Sequence, residues 1–250
     1  MIGKVMTLLG LLAAGPTLSE GAGLCSRTLH DGLPYTVCDV QAGQDLRLFL
    51  NSRDGALLGS FTKIEAELAR EGRRLLFAMN AGMYHSDRSP VGLYIEGGET
   101  LSPLVTAAGP GNFGMRPNGV FCILEDGGFA IRESRDFKGA PLPCRHATQS
   151  GPMLVIDGAL HPRFLVDSAS RYTRNGVGVS ADGRKAFFVI SEARVTFHEF
   201  ARFFRDGLDV PQALYFDGNI SRLYAPELRR NDFGFPMGPI VGLVGEATSP

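Results

Sequence analysis

Short apolar runs that stop at an Asp-Gly pair recur along this chain, and they commit much of it to antiparallel sheet. Residues 119–124 and 129–134 flank Asp126-Gly127, residues 152–156 run into Asp157-Gly158, and residues 177–180 and 185–190 flank Asp182-Gly183. Glycine accepts the positive φ that a tight hairpin turn demands, so each pair predicts a chain reversal between strands. Glycine is abundant elsewhere too, at 32 of 250 residues where roughly 7% is ordinary, and it is scattered rather than tandem. Further short strands are expected over 35–40, 46–50, 75–79, 213–216 and 240–244. Two helices interrupt them. Thr62 and Glu65 have the spacing of a capping box, with Ile64 and Leu68 on one face and Gly72 as the stop; Thr196 and Glu199 repeat that spacing ahead of Phe200, Phe203 and Phe204, with Gly207 as the stop. No repeat or linker divides 24–250. The expectation is a single α+β domain, a mixed and mostly antiparallel sheet with a few helices packed on it.

The first residues read differently. Lys4, an apolar run over 5–14, a Gly15-Pro16 break and the small residues Gly21, Ala22 and Gly23 form a secretory signal over 1–23. The run falls short of the ~20 apolar residues that span a bilayer, so no stable membrane anchor is expected, and the product is an exported protein, periplasmic or extracellular. Four cysteines fit an oxidising compartment. Cys25, Cys38, Cys122 and Cys144 allow three connectivities and have no zinc-like spacing. Cys25 with Cys38 closes a short hairpin-like loop and leaves Cys122 for Cys144; a buried free thiol at Cys122 is the alternative. A net charge of −1 argues against a nucleic-acid partner.

The chain lacks a Gly-x-Ser-x-Gly elbow, a His-Glu-x-x-His helix, a phosphate-binding Walker loop and a dinucleotide fingerprint. It offers instead polar residues beside Gly or Pro at strand ends: Asn80, Arg116, Asn118, Gln149, Ser150, Arg171, Arg174, Asn175 and Asp217. Amide and guanidinium donors with a carboxylate, next to backbone open at Gly82, Gly151 and Gly218, suit a polyhydroxylated, negatively charged ligand such as a sugar phosphate. Asp217-Gly218 differs from the other Asp-Gly pairs because the buried run 213–216 before it has no evident returning partner.

The order Asn80-Ala81-Gly82, Pro90-Val91-Gly92, Pro117-Asn118-Gly119, Gln149-Ser150-Gly151-Pro152, Arg174-Asn175-Gly176 and Leu214-Tyr215-Phe216-Asp217-Gly218, continuing to Ser221, resembles the phosphodiester glycosidase family over roughly 75–244. One departure is Asn219, where members often carry a second Gly. The resemblance implies hydrolysis of a sugar-1-phosphodiester, N-acetylglucosamine being the sugar in the animal enzyme. On that footing Asp217 is the expected general base or nucleophile, with Glu192 a second carboxylate. Arg174, with Arg171 or Arg116, would clamp the phosphate. Asn80, Asn118 and Gln149 would take hydroxyls or the acetamido group, and Gly82, Ser150, Gly151, Asn175, Gly218 and Ser221 would complete the substrate site. No cofactor is called for; a divalent cation on Asp217 stays open. The rival readings are a phosphoglycan-binding module without turnover and a serine hydrolase pairing Ser150 with His146.

Overall fold

The computed structural model describes residues 23–217 and 220–247. The expected signal segment lies, apart from Gly23, outside those residues, as do Gly218 and Asn219. Three antiparallel sheets make up the domain. The first runs in the order β1 (Cys25–His30), β2 (Leu33–Gln41), β13 (Lys185–Ser191), β12 (Asn175–Val179), β14 (Gln212–Asp217), β10 (Met153–Ile156) and β11 (Ala159–Leu160). The second is β16 (Arg230–Asn231), β15 (Leu223–Ala225), β4 (Arg73–Asn80), β17 (Ile240–Glu246) and β3 (Leu46–Phe49). The third is β6 (Glu99–Ser102), β5 (Tyr94–Glu96), β9 (Cys144–Ser150), β7 (Gly119–Leu124) and β8 (Phe129–Glu133). Asp126-Gly127 and Asp182-Gly183 join β7 to β8 and β12 to β13, and Asp157-Gly158 turns β10 into β11, as their turn chemistry requires.

Phenylalanine holds the sheets together. Phe188 of the first sheet lies 5.2 Å from Phe77 of the second and 5.7 Å from Phe121 of the third, and Phe121 in turn meets Phe216 at 6.4 Å. All four rings are fully buried. Tilted and edge-to-face pairs of this kind add about 1 kcal/mol each beyond area burial, so this cluster accounts for a core rich in Phe and lacking Trp. A second core forms where α3 (Phe197–Arg202) packs Phe200 with Phe203 and Phe204 of the following π-helical turn against Tyr35 and Tyr215. The Thr196 and Glu199 capping box is present at its start.

Helix α1 (Phe61–Ala69) begins earlier than the spacing predicts. Ser60 is its N-cap, accepting from the Lys63 amide, and the Glu65 carboxylate instead takes the Leu75 amide of β4 at 2.6 Å. Helix α2 (Ser134–Gly139) is unannounced by any hydrophobic period; the Glu133 side chain caps it. Both disulfides form as preferred above, Cys25 with Cys38 across the β1–β2 register and Cys122 with Cys144 between β7 and β9.

Two buried histidines give the fold a pH dependence. Desolvation, helped by nearby arginines, lowers His146 and His161 to about 4. Both rings are neutral in the folded state, whereas the unfolded chain protonates them below about 6.5. Between those values the unfolded state binds more protons, so stability falls as pH falls. Thermal unfolding followed from pH 7 down to 4.5 is expected to show a falling Tm, with a flatter profile in His146→Gln; a pH-independent Tm over that window would contradict the burial argument.

Candidate active site

Corresponding ends of all three sheets meet at one place. In the first sheet Asn175 lies opposite Asp217, at the start of β12 and the end of β14. In the second, Asn80 ends β4 opposite Ile240, and in the third, Ser150 ends β9 opposite Gly119. Side chains stitch these ends. The Ser150 hydroxyl donates to the Phe216 carbonyl at 2.9 Å. The Asn175 Nδ2 donates to the Asn80 carbonyl at 2.8 Å, and its Oδ1 accepts from Asn80 Nδ2 at 3.1 Å, from the Asp217 amide at 3.2 Å and from Ser221 Oγ at 3.3 Å. The single Ser221 hydroxyl proton is shared between that oxygen and the closer Asp217 carbonyl at 2.8 Å, and Asn80 Oδ1 accepts from the Arg222 amide at 2.9 Å. Asn80 and Asn175 are completely buried. Buried amides satisfied this fully act as rigid connectors, and with Ser221 they hold the backbone amide and carbonyl of Asp217.

Asp217 is half-buried and opens onto a cleft of about 550 Å³, shared with Met83, Tyr84, Val91, Pro110, Gly111, Asn112, Phe113 and Ile220. Tyr84 carries the polar side of it. Its hydroxyl oxygen is enclosed and, among the described residues, has no hydrogen-bond partner. Burial pushes the phenol above its ordinary value, the Asp217 carboxylate adds to that, and Arg88 and Arg222 oppose it. The hydroxyl therefore keeps its proton at neutral pH. Arg88 lies over the Tyr84 ring at 5.3 Å. Gly238 makes room for that ring, since a Cβ there would come within 2.6 Å of Tyr84.

Asn80, Asn175, Asp217 and Ser221 are thus brought together. Gly82, Asn118 and Gly151 support the site from behind. A Cβ on Gly82 would lie 2.8 Å from the Thr148 hydroxyl, and one on Gly151 would lie 2.6 Å from Asn118, whose amide donates to the Phe113 carbonyl on the cleft wall. Gln149 does not face the cleft. Its Oε1 accepts from the Leu93 and Val105 amides and its Nε2 donates to the Val105 carbonyl and the Ser134 hydroxyl, so all its capacity is used inside the fold.

The arginines expected to clamp phosphate lie elsewhere. Arg174 is 1% exposed. It stacks on Phe197 at 3.7 Å and donates to the Val195 and Ser170 carbonyls and the Tyr215 hydroxyl. Arg171 pairs with Glu199 on the outer surface, and Arg116 lines a separate depression with Glu133 and Asp136. Glu192 accepts from the Thr36 hydroxyl at 2.5 Å and pairs with Arg230 outside the cleft. Gly218 lies outside the described residues. The Ser150 and His146 pairing fails on geometry: four residues apart on β9, they are separated by about 13 Å of strand rise, and Nδ1 of His146 accepts from the Gly97 amide. Tyr84 and Arg222 are given no role by the sequence alone, although Arg222 directly follows Ser221 and Tyr84 stands two residues past Gly82.

The sequence profile of the phosphodiester glycosidase family matches residues 73–234, a span that holds Asn80, Tyr84, Asn175, Asp217 and Arg222. The chain belongs to the phosphodiester glycosidase family. The chain is also 36% identical over 179 residues to the uncharacterized protein YigE of Escherichia coli K12, covering 72% of this chain and 69% of that one. Its fold is similar to that of the zebrafish N-acetylglucosamine-1-phosphodiester alpha-N-acetylglucosaminidase catalytic domain auto-inhibited by its pro-peptide, with a TM-score of 0.56 and 14% identity over 90% of this chain and 84% of that one. A hypothetical protein from Synechocystis shares the fold at a TM-score of 0.54 and 14% identity, over 88% of this chain and 61% of the other.

Proposed function

We propose that this phosphodiester glycosidase is an exported hydrolase that splits a glycosyl phosphodiester, of the N-acetylglucosamine-1-phosphodiester type, into a free sugar and a phosphomonoester. The observation that carries this is Asp217: a carboxylate on a cleft that it shares with Tyr84, with its backbone amide held by the buried Asn175 and its carbonyl by Ser221. In the step proposed, water forms a bond to the anomeric carbon while the bond from that carbon to the phosphate oxygen breaks. The electron pair leaves with the phosphate, and the water proton passes to Asp217. The departing phosphomonoester has a second pKa of about 6, so it leaves as a stable anion. Strong acid assistance is not required, and one carboxylate suffices where ordinary glycoside hydrolysis uses two. Tyr84 and Arg222 hold the phosphate in place of the buried Arg174, with Arg88 adding charge. Two disulfides fit export into an oxidising compartment.

The direct test is to incubate the purified protein with a panel of sugar-1-phosphodiesters and follow reducing sugar. Release of sugar together with phosphomonoester is expected, and the same assay after dialysis against EDTA checks that no cation is needed. Saturable binding without release on every compound would replace this reading with a phosphoglycan-binding module.

A further inference from the structure

Two aromatic side chains on the loop between β16 and β17 stand out of the fold. Phe233 is 93% exposed and Phe235 78% exposed, the most exposed large apolar residues described. Apolar groups presented so openly mark a contact surface more often than an accident, and here the backbone beneath them is fixed. The Asp232 amide donates to the Leu223 carbonyl at 3.0 Å, and its carboxylate accepts the Leu223 amide at 3.0 Å. At the other end the Met237 amide donates to the Gly59 carbonyl at 2.8 Å. Between them Arg222 Nη1 donates to the Phe235 carbonyl at 2.6 Å. Gly234, at φ +154°, lets the guanidinium pass, because a Cβ there would lie 2.2 Å from Arg222 Nη2. A loop pinned at both ends and at its middle, yet turning two rings to solvent, is built to present them.

The tether also says what they meet. Arg222 joins this loop to the buried Asn80, and its charge acts on Tyr84, a wall of the Asp217 cleft. With the anomeric carbon at Asp217 and the phosphate at Tyr84 and Arg222, the next group along the substrate is the alcohol esterified to the phosphate. The loop that carries Phe233 and Phe235 adjoins this end of the cleft, where Gly238 packs against Tyr84. We infer that these rings form an apolar subsite for the aglycone, so that the preferred substrates carry a hydrocarbon alcohol on the phosphate. This rests on the glycosyl phosphodiester reading above.

The test compares methyl and octyl diesters of N-acetylglucosamine-1-phosphate on the wild type and on the Phe233→Ala/Phe235→Ala double variant. Burying a Phe side chain against a ligand is worth about tenfold or more in affinity. The wild type is expected to prefer the octyl diester through a lower KM, and the double variant to reduce the octyl-to-methyl ratio of kcat/KM by about tenfold. An unchanged ratio overturns the inference. Calorimetric binding of octyl phosphate, which has no sugar, separates the two readings: if neither diester turns over, weaker binding by the double variant still supports the subsite, and equal binding removes it. Loss of sedimentation with phosphatidylglycerol vesicles, at an unchanged diester ratio, would make the loop a membrane contact and likewise overturn the inference.

Discussion

Replacing Asp217 by Asn is expected to reduce kcat for sugar release by about 10³-fold or more, with a modest change in KM and a Tm close to that of the wild type. Positioned proton transfer contributes about 10²–10⁴-fold to such reactions, and a carboxylate that attacks carbon directly contributes at least as much. The amide keeps the shape of the side chain, and two contacts to the backbone of this position are untouched by the exchange: the amide to Asn175 and the carbonyl from Ser221. Rate and stability should therefore separate. Full activity in the variant would remove Asp217 from the reaction. A collapse of Tm alongside the rate would show that the side chain is structural.

The second large effect is expected at Asn175, with the opposite signature. Asn175→Ala deletes an acceptor used by Asn80, Asp217 and Ser221 and a donor used by the Asn80 carbonyl, in a residue with no exposure. Each buried polar group left unpaired costs about 1–3 kcal/mol, so a total of about 3–6 kcal/mol is expected. In a domain of this size that lowers Tm by about 10 °C or more. Activity should fall with it, because the backbone of Asp217 loses its anchor. Differential scanning calorimetry with a parallel turnover assay checks both halves; a variant with native Tm and native rate would mean that the sheets are held at this corner by something else.

Sequence reading succeeds here where the chemistry is local. Asp126-Gly127 and Asp182-Gly183 specify their own turns, and the hairpins around them follow. It misses β1, β5, β6, β11, β15 and β16 because these are short or carry half-exposed polar side chains, and it misses the inner strand β9 because its buried residues are largely polar; all are held by the neighbours they pair with rather than by an apolar period of their own. The site shows the same division. Asn80, Asn175, Asp217 and Ser221 stand out as polar residues around glycines at strand ends. Gln149 and Arg174 look alike to them in the chain, yet their donors turn inward to carbonyls and hydroxyls, a choice made by packing. Tyr84 and Arg222 earn their places through Gly238 and Gly234, glycines more than ten residues away that make space for them.

The position of β17 sets the timing of all this. Residues 240–246 form an inner strand, pairing with β4 on one side and β3 on the other, and Ile240 lies opposite Asn80. A ribosome or a translocation channel delivers those residues after every catalytic candidate has already emerged. Until they insert, β4 is paired on one side alone, by β15, and the Asn80 end of the asparagine pair is only half supported. The corner that joins the three sheets is therefore completed only when this late strand slots between the two that wait for it.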